Sequence, residues 1–245
     1  MKDQPSDLLN YIVNARVEPG EQLPTLKTLS DELGISVNKL REQLEVARVL
    51  GMVDVRPRAG TRVQPYDFLP AVRLSLLYAV AMDRGYFEPF SALRRQLEVA
   101  FWEDAVTALG PAEHDRLDAL IAQAWAKLND QPARIPHGEH REFHQTIFSR
   151  LDNPFVTALL EAFWEAYEAI EYHIYSDYRY LCDVWAYHQR IADAIRAGDI
   201  AASQEAYLQH TRLIRCRTHP DEETPAPART TLNADRIVMP SAGDD

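Results

Sequence analysis

Eight histidines occur in the 245 residues, and four of them have spacings that could serve a metal ion. His140 and His144, in Glu139-His-Arg-Glu-Phe-His144, are four apart, so on a helix they share one face. His188 and His210 are 22 residues apart across Gly198-Asp199, ten before that glycine and twelve after it. Consecutive antiparallel helices would therefore carry them at matching depth, and imidazoles so placed can share a divalent cation. His114, His137, His173 and His219 have no such partner spacing, and Glu139 and Glu142 are expected to face solvent, with supplementing the metal site as the alternative for either. Arg94, four residues before Glu98, is either an ordinary i,i+4 ion pair or a guanidinium that reaches inward to fork a ligand carboxylate. Phe101, Trp102, Phe163, Trp164, Tyr172, Tyr175 and Trp185 are expected to fill a core, while Tyr187, beside His188, is the ring placed to touch a ligand.

A second group of polar residues lies near the N-terminus. Ser6 caps a run in which Leu8, Leu9, Ile12 and Val13 share a face, and Pro19-Gly20 ends it. Thr25 opens a second helix with Leu26, Leu29 and Leu33 inward, stopped at Gly34. Ser36 caps a third that carries Val37, Leu40, Leu44 and Ala47, with Asn38, Lys39 and Arg41 on its polar side. Met52 to Arg56 alternates at period two, Pro57 to Gly60 supplies turn residues and Thr61 to Val63 resumes an extended pattern, which predicts a hairpin. Helix, helix-turn-helix and hairpin in that order is a winged-helix plan.

From Pro70 to about Thr218 the pattern is helical almost throughout. Breaks at Gly85, Gly110-Pro111, Asp130 to Pro136, Asp152 to Pro154, Ser176 and Gly198 predict six or seven helices in an antiparallel bundle. The fold expected is mainly α: a winged helix over residues 1–66, a helical domain over 67–218, and a flexible tail over 219–245 that lacks apolar periodicity. The chain carries 26 Lys and Arg against 37 Asp and Glu, net −11, yet residues 1–64 balance at nine of each, so the excess acid belongs to the helical part. With 46% hydrophobic residues it is no disordered chain, and no run reaches the roughly 18 apolar residues of a membrane helix. Two cysteines, Cys182 and Cys216, and a start without an apolar signal core argue against a disulfide framework and for a reducing, cytoplasmic setting.

The segment Leu23-Pro-Thr-Leu-Lys-Thr-Leu-Ser-Asp-Glu-Leu-Gly-Ile-Ser-Val-Asn-Lys-Leu-Arg-Glu-Gln-Leu44, followed by Leu50-Gly-Met-Val53 and Arg56-Pro-Arg-Ala-Gly-Thr-Arg-Val63, resembles the winged-helix head of GntR-type transcription regulators. The resemblance implies that Asn38 and Lys39 face base edges in the major groove, that Lys27 and Arg41 hold phosphates or guanine edges, and that Arg58 and Gly60 approach the minor groove with Arg56 assisting. The family usually has arginine where Val37 stands and a Thr-Pro-like pair in place of Asn38-Lys39, so its base-reading pattern does not transfer.

Residues 70–217 resemble the FCD domain, the helical effector-binding domain of the FadR branch of that family, through Leu93-Arg-Arg-Gln-Leu-Glu98, Phe143-His144 with Asn153, His188 with Ile191, and Gly198-Asp199 ahead of His210. Metal-binding members use an aspartate and three histidines at these places, and His140 stands where the aspartate would be. A four-histidine set favours zinc or nickel over magnesium or calcium. The resemblance implies a homodimeric repressor that binds a palindromic operator in double-stranded DNA and is released by a small carboxylic acid held beside the metal by Arg94. One alternative is a regulator for which the ion itself is the signal. Another is a helical metal-dependent hydrolase, against which stand the lack of any His-Glu-x-x-His, Ser or Cys nucleophile or phosphate-loop motif and the DNA-binding head, which would go unexplained.

Overall fold

Ser6, Thr25 and Ser36 each cap the helix that follows, their side-chain oxygens accepting from the backbone N–H groups of Leu9, Thr28 and Lys39. In the computed structural model, which describes residues 6–171 and 178–215, these caps open α1 (Asp7–Asn14), α2 (Leu26–Leu33) and α3 (Val37–Val49). Gly34 ends α2 at φ +66°, a left-handed conformation in which a side chain would be strained. Strands β1 (Val53–Arg56) and β2 (Gly60–Val63) pair antiparallel, with Val53 opposite Val63 and Arg56 opposite Gly60. Leu8, Leu23, Leu29, Leu40, Ala47, Val53 and Val63 bury against one another as the core of this winged helix.

The helical part runs through α4 (Leu69–Met82), a single 3₁₀ turn, α5 (Phe87–Ala100), α6 (Trp102–Thr107), α7 (Pro111–Leu128), α8 (His137–Ile147), α9 (Pro154–Glu171), α10 (Tyr178–Arg196) and α11 (Ile200–Arg215). Among the described residues that is eight α-helices where the breaks read from the sequence allow seven, because Phe101 separates α5 from α6 without glycine or proline. The cause is tertiary: Trp102 is fully buried, its indole N–H donates to Ser203 Oγ at 2.9 Å and its ring stacks on Tyr207 at 4.7 Å. Gly110 and Asn153 stand at the starts of α7 and α9, and Gly198 lies between α10 and α11, as their residue types predict. The expected break at Ser176, the rings of Tyr172 and Tyr175, Cys216 and the tail over 219–245 lie outside the described residues.

Two cores hold the helical part. Trp102, Phe143, Trp185, Ile191 and Tyr207 anchor the larger, contributed by α6, α8, α10 and α11 with α7 behind them. In the smaller, Leu69, Leu76 and Val80 of α4 lie on Ala158, Ala162 and Ala166 of α9, three alanines at four-residue spacing that let the two backbones approach. None of the described helices is long and apolar enough to cross a membrane.

Candidate metal centre and nucleic-acid interface

Three helices deliver the four histidines to one point. His140 and His144 come one turn apart from α8, His188 from α10 and His210 from α11, the last two returned to matching depth by the antiparallel hairpin around Gly198. One ring nitrogen from each lies within 4.8 Å of the others. His188 and His210 rings are 4.4 Å apart, and His144 Nε2 sits 3.2 Å from His188 Nε2. His144, His188 and His210 are buried and His140 is half-buried, walled by Phe143, Trp164 and Trp185.

Burial holds the rings neutral. Desolvation is the largest cause that depresses each histidine, pushing His210 down to about 3 with help from the Arg94 charge, and taking His140, His144 and His188 well below the usual histidine range. Neutral imidazole is the form that ligates metal. Among the described residues, His140 Nε2, His188 Nδ1 and His210 Nδ1 are buried without a hydrogen-bond partner. Leaving a buried polar group unpaired costs about 1–3 kcal/mol. Four ring nitrogens within 4.8 Å of one another, three of the rings carrying a buried unpaired nitrogen, thus fit a divalent ion held by imidazoles.

Arg94 does pair with Glu98 one turn on, and the pair is also turned inward: both are buried, Nε stands 2.8 Å from Oε2 and Nη2 donates to Oε1 at 2.9 Å. The guanidinium lies over the Phe163 and Trp164 rings and brings Nη2 to 3.2 Å from His144 Nδ1. Glu98 also accepts from the Tyr207 hydroxyl, and burial beside that carboxylate raises the tyrosine well above its ordinary range. A cleft of about 640 Å³ reaches Glu98, His144 and Trp164 from outside, past Asn153, Thr157 and Glu161. Its charged lining residues are Glu98, Asp152 and Glu161, all acidic.

Two expectations need correction. Tyr187 is half-buried, with Arg190 over its ring at 5.0 Å, and belongs neither to the rings around the histidines nor to the cleft. Adjacent helical residues point about 100° apart, so the neighbour of an inward histidine turns away. Tyr207, three residues before His210, is the tyrosine the sequence reading missed; the signal available was its i,i+3 spacing to a candidate ligand. Glu139 is also no solvent-facing residue: it is buried against Lys127, with Oε1 2.7 Å from Nζ. Glu142 pairs with Arg116.

The head presents its candidate residues at the surface. Lys27 is exposed on the first turn of α2, and Asn38, Lys39 and Arg41 are exposed on the first turns of α3. Asn38 Oδ1 accepts from Arg41 Nη1 at 3.1 Å, and Lys39 Nζ lies 2.7 Å from Asp7 Oδ2. Gln43 fastens α1 to α3, accepting from Leu8 N and donating to Asp7, a link with no local sequence signal. At the hairpin, Arg56 pairs with Asp54 at 2.7 Å, Arg58 is exposed with φ +64° and Gly60 has φ +82°.

Two family models match the chain: bacterial regulatory proteins, gntR family, over residues 6–63, and the FCD domain over residues 90–213. The HTH-type transcriptional regulator YieP of Escherichia coli K12 is 30% identical over 203 residues, covering 81% of this chain and 86% of its own length. The putative L-lactate dehydrogenase operon regulatory protein of E. coli K12 is 23% identical, with 87% of this chain and 84% of that protein covered. Among solved structures, Streptococcus agalactiae GntR superposes with a TM-score of 0.62 over 85% of this chain and 95% of that one, at 19% identity, a likeness of fold.

Proposed function

The chain belongs to the gntR family of bacterial regulatory proteins, with an FCD domain as its effector-binding part, and from that premise we propose that it is a homodimeric repressor released from a palindromic operator by a small carboxylic acid bound at a metal site. It is a DNA-binding transcription regulator and not an enzyme. In this reading residues 1–66 hold DNA in the cytoplasm and residues 67–218 hold the effector. Asn38, Lys39 and Arg41 enter the major groove, Lys27 takes phosphate, and Arg56, Arg58 and Gly60 bring the hairpin to the minor groove.

The observation that carries the effector site is the convergence of His140, His144, His188 and His210 with ring nitrogens left unpaired in a buried setting. These four side chains would hold zinc or nickel, and the ion, by expanding its coordination beyond four, would supply a Lewis-acid anchor for the effector carboxylate. The chain's own groups do the rest. The cleft admits a small molecule to His144 and Glu98, Asn153 and Thr157 offer polar contacts along its wall, and the buried Trp164 supplies an aromatic part of its lining. Arg94 supplies the cation beside His144. The name of the L-lactate dehydrogenase operon relative supports an effector of hydroxy-acid size.

Ion as signal is the second reading, favoured by one observation: the Arg94 charge is already paired with the chain's own buried Glu98 carboxylate. Elemental analysis and fluorescence anisotropy on an operator selected from random duplexes separate the two. About one zinc or nickel per chain, lost in a His144→Ala His188→Ala double variant, is expected, with DNA released by a carboxylic acid only in the loaded protein. Release by the metal alone would make the ion the signal. A parent that takes up no metal on reconstitution would remove the metal site from the reading.

A further inference from the structure

The contacts of His144 select one of the two tautomers of its ring. A guanidinium only donates hydrogen bonds, so Arg94 Nη2 at 3.2 Å requires a lone pair on His144 Nδ1 and puts the ring hydrogen on Nε2. That Nε2–H then points at His188 Nε2, 3.2 Å away. Arg94 blocks the Nδ1 side, so Nε2 is the atom of His144 that faces the other histidines, and in this tautomer it carries a hydrogen where an ion would bind. Ligation through Nε2 requires the hydrogen on Nδ1, and a ligating histidine gives that hydrogen to a carboxylate, carbonyl or water. Glu98 Oε1 is 3.7 Å from His144 Nδ1, fully buried, and already tied in place by Arg94 and Tyr207.

We propose that Glu98 is the positioning residue of the metal centre: loading the ion swaps the partner of His144 Nδ1 from Arg94 to Glu98, so that Arg94 and the metal compete for the two tautomers of one imidazole. The proposal rests on the metal reading above and adds to it a device that sets metal affinity from outside the ligand set. Glu98 Oε1 needs to close by less than 1 Å to reach ordinary hydrogen-bond distance. Arg94 keeps its Nε contact with Oε2 through the exchange, so the buried carboxylate stays paired.

The test uses the full chain, with zinc as the probe, in competition with a chromophoric chelator. Removing the outer partner of a metal-bound histidine costs about 10–100-fold in affinity. Glu98→Ala is expected to lose that much, while Glu98→Gln, whose amide oxygen can still accept, stays within a few-fold of the parent. Melting of each metal-free variant reports whether the fold survives. Nitrogen-15 spectra of histidine-labelled parent read the device directly, without any variant: the His144 hydrogen is expected on Nε2 in chelator and on Nδ1 with zinc. A hydrogen on the same nitrogen in both states overturns the proposal, as does a folded Glu98→Ala chain with parental zinc affinity. If the parent itself binds no zinc, the metal reading falls and the proposal falls with it, an outcome distinguishable from failure of Glu98 alone.

Discussion

At the scale of single residues, the histidines were legible and their surroundings were not. An i,i+4 pair and two residues equidistant from a glycine define faces and depths by helix geometry alone, and the four rings do meet. Tyr207 and the buried link from Glu98 to His144 depend on how α5, α8 and α11 cross, which no local pattern encodes. Burial of four neutral imidazoles also has a pH consequence for the metal-free chain. The unfolded chain takes up protons on histidine as pH falls through about 6.5, while the folded rings, depressed below that value, do not. Stability contributed by these groups is therefore present above about pH 6.5 and is lost progressively as pH falls toward the folded values, about 3 for His210. In chelator, the melting temperature of the parent is expected to fall more between pH 7.5 and 5.5 than that of His210→Leu. Parallel falls would mean that burial of His210 is not what the pH titrates.

Elements were predicted best where capping, punctuation and periodicity agree. All three head helices begin at their Ser or Thr caps and the hairpin closes where Pro57 to Gly60 stands, because these signals act within a few residues. The break at Phe101 was missed, since burying Trp102 against Ser203 and Tyr207 is a demand of the assembled bundle. On α3, the Asn38 contact holds one Nη1 hydrogen of Arg41 and leaves the Nε/Nη2 edge free to fork a guanine. Arg41→Ala is expected to weaken operator binding by about 1–3 kcal/mol, roughly 5- to 150-fold, and to relax preference at one base pair. Lys27→Ala should instead weaken all duplexes alike and lower the salt slope by about one. Anisotropy titrations over a salt series distinguish these; an Arg41→Ala loss equal on operator and random DNA would make that arginine a phosphate contact.

For the whole molecule, the proposed homodimer has a candidate face on α4. Helix α4 has one charged residue, Arg73, and that is paired with Glu165 at 2.5 Å. Its outward side carries Leu74, Tyr78 and Met82 at four-residue spacing, 47%, 68% and 70% exposed. A stripe centred on Tyr78 with Leu74 and Met82 four residues to either side is self-complementary under a twofold axis, as an isologous contact requires. A specific interface needs about 800 Å² per partner. One helix face falls short of that, so the interface must take in further surface beyond α4. Tyr78→Glu is expected to shift the mass measured by light scattering from two chains toward one and to weaken operator binding, while an unchanged dimer would place the interface elsewhere. The sequence by itself determined the class of the molecule: caps, turn residues and helical-period apolar spacing act locally, so head, hairpin and helical domain could be read, as could the faces on which the histidines lie. The tertiary structure alone decided what those faces meet. It set the Arg94, Glu98 and Tyr207 environment of His144, buried Glu139 on Lys127, turned Tyr187 away and left one side of α4 uncharged and open, because each of these depends on the packing of residues distant in the chain.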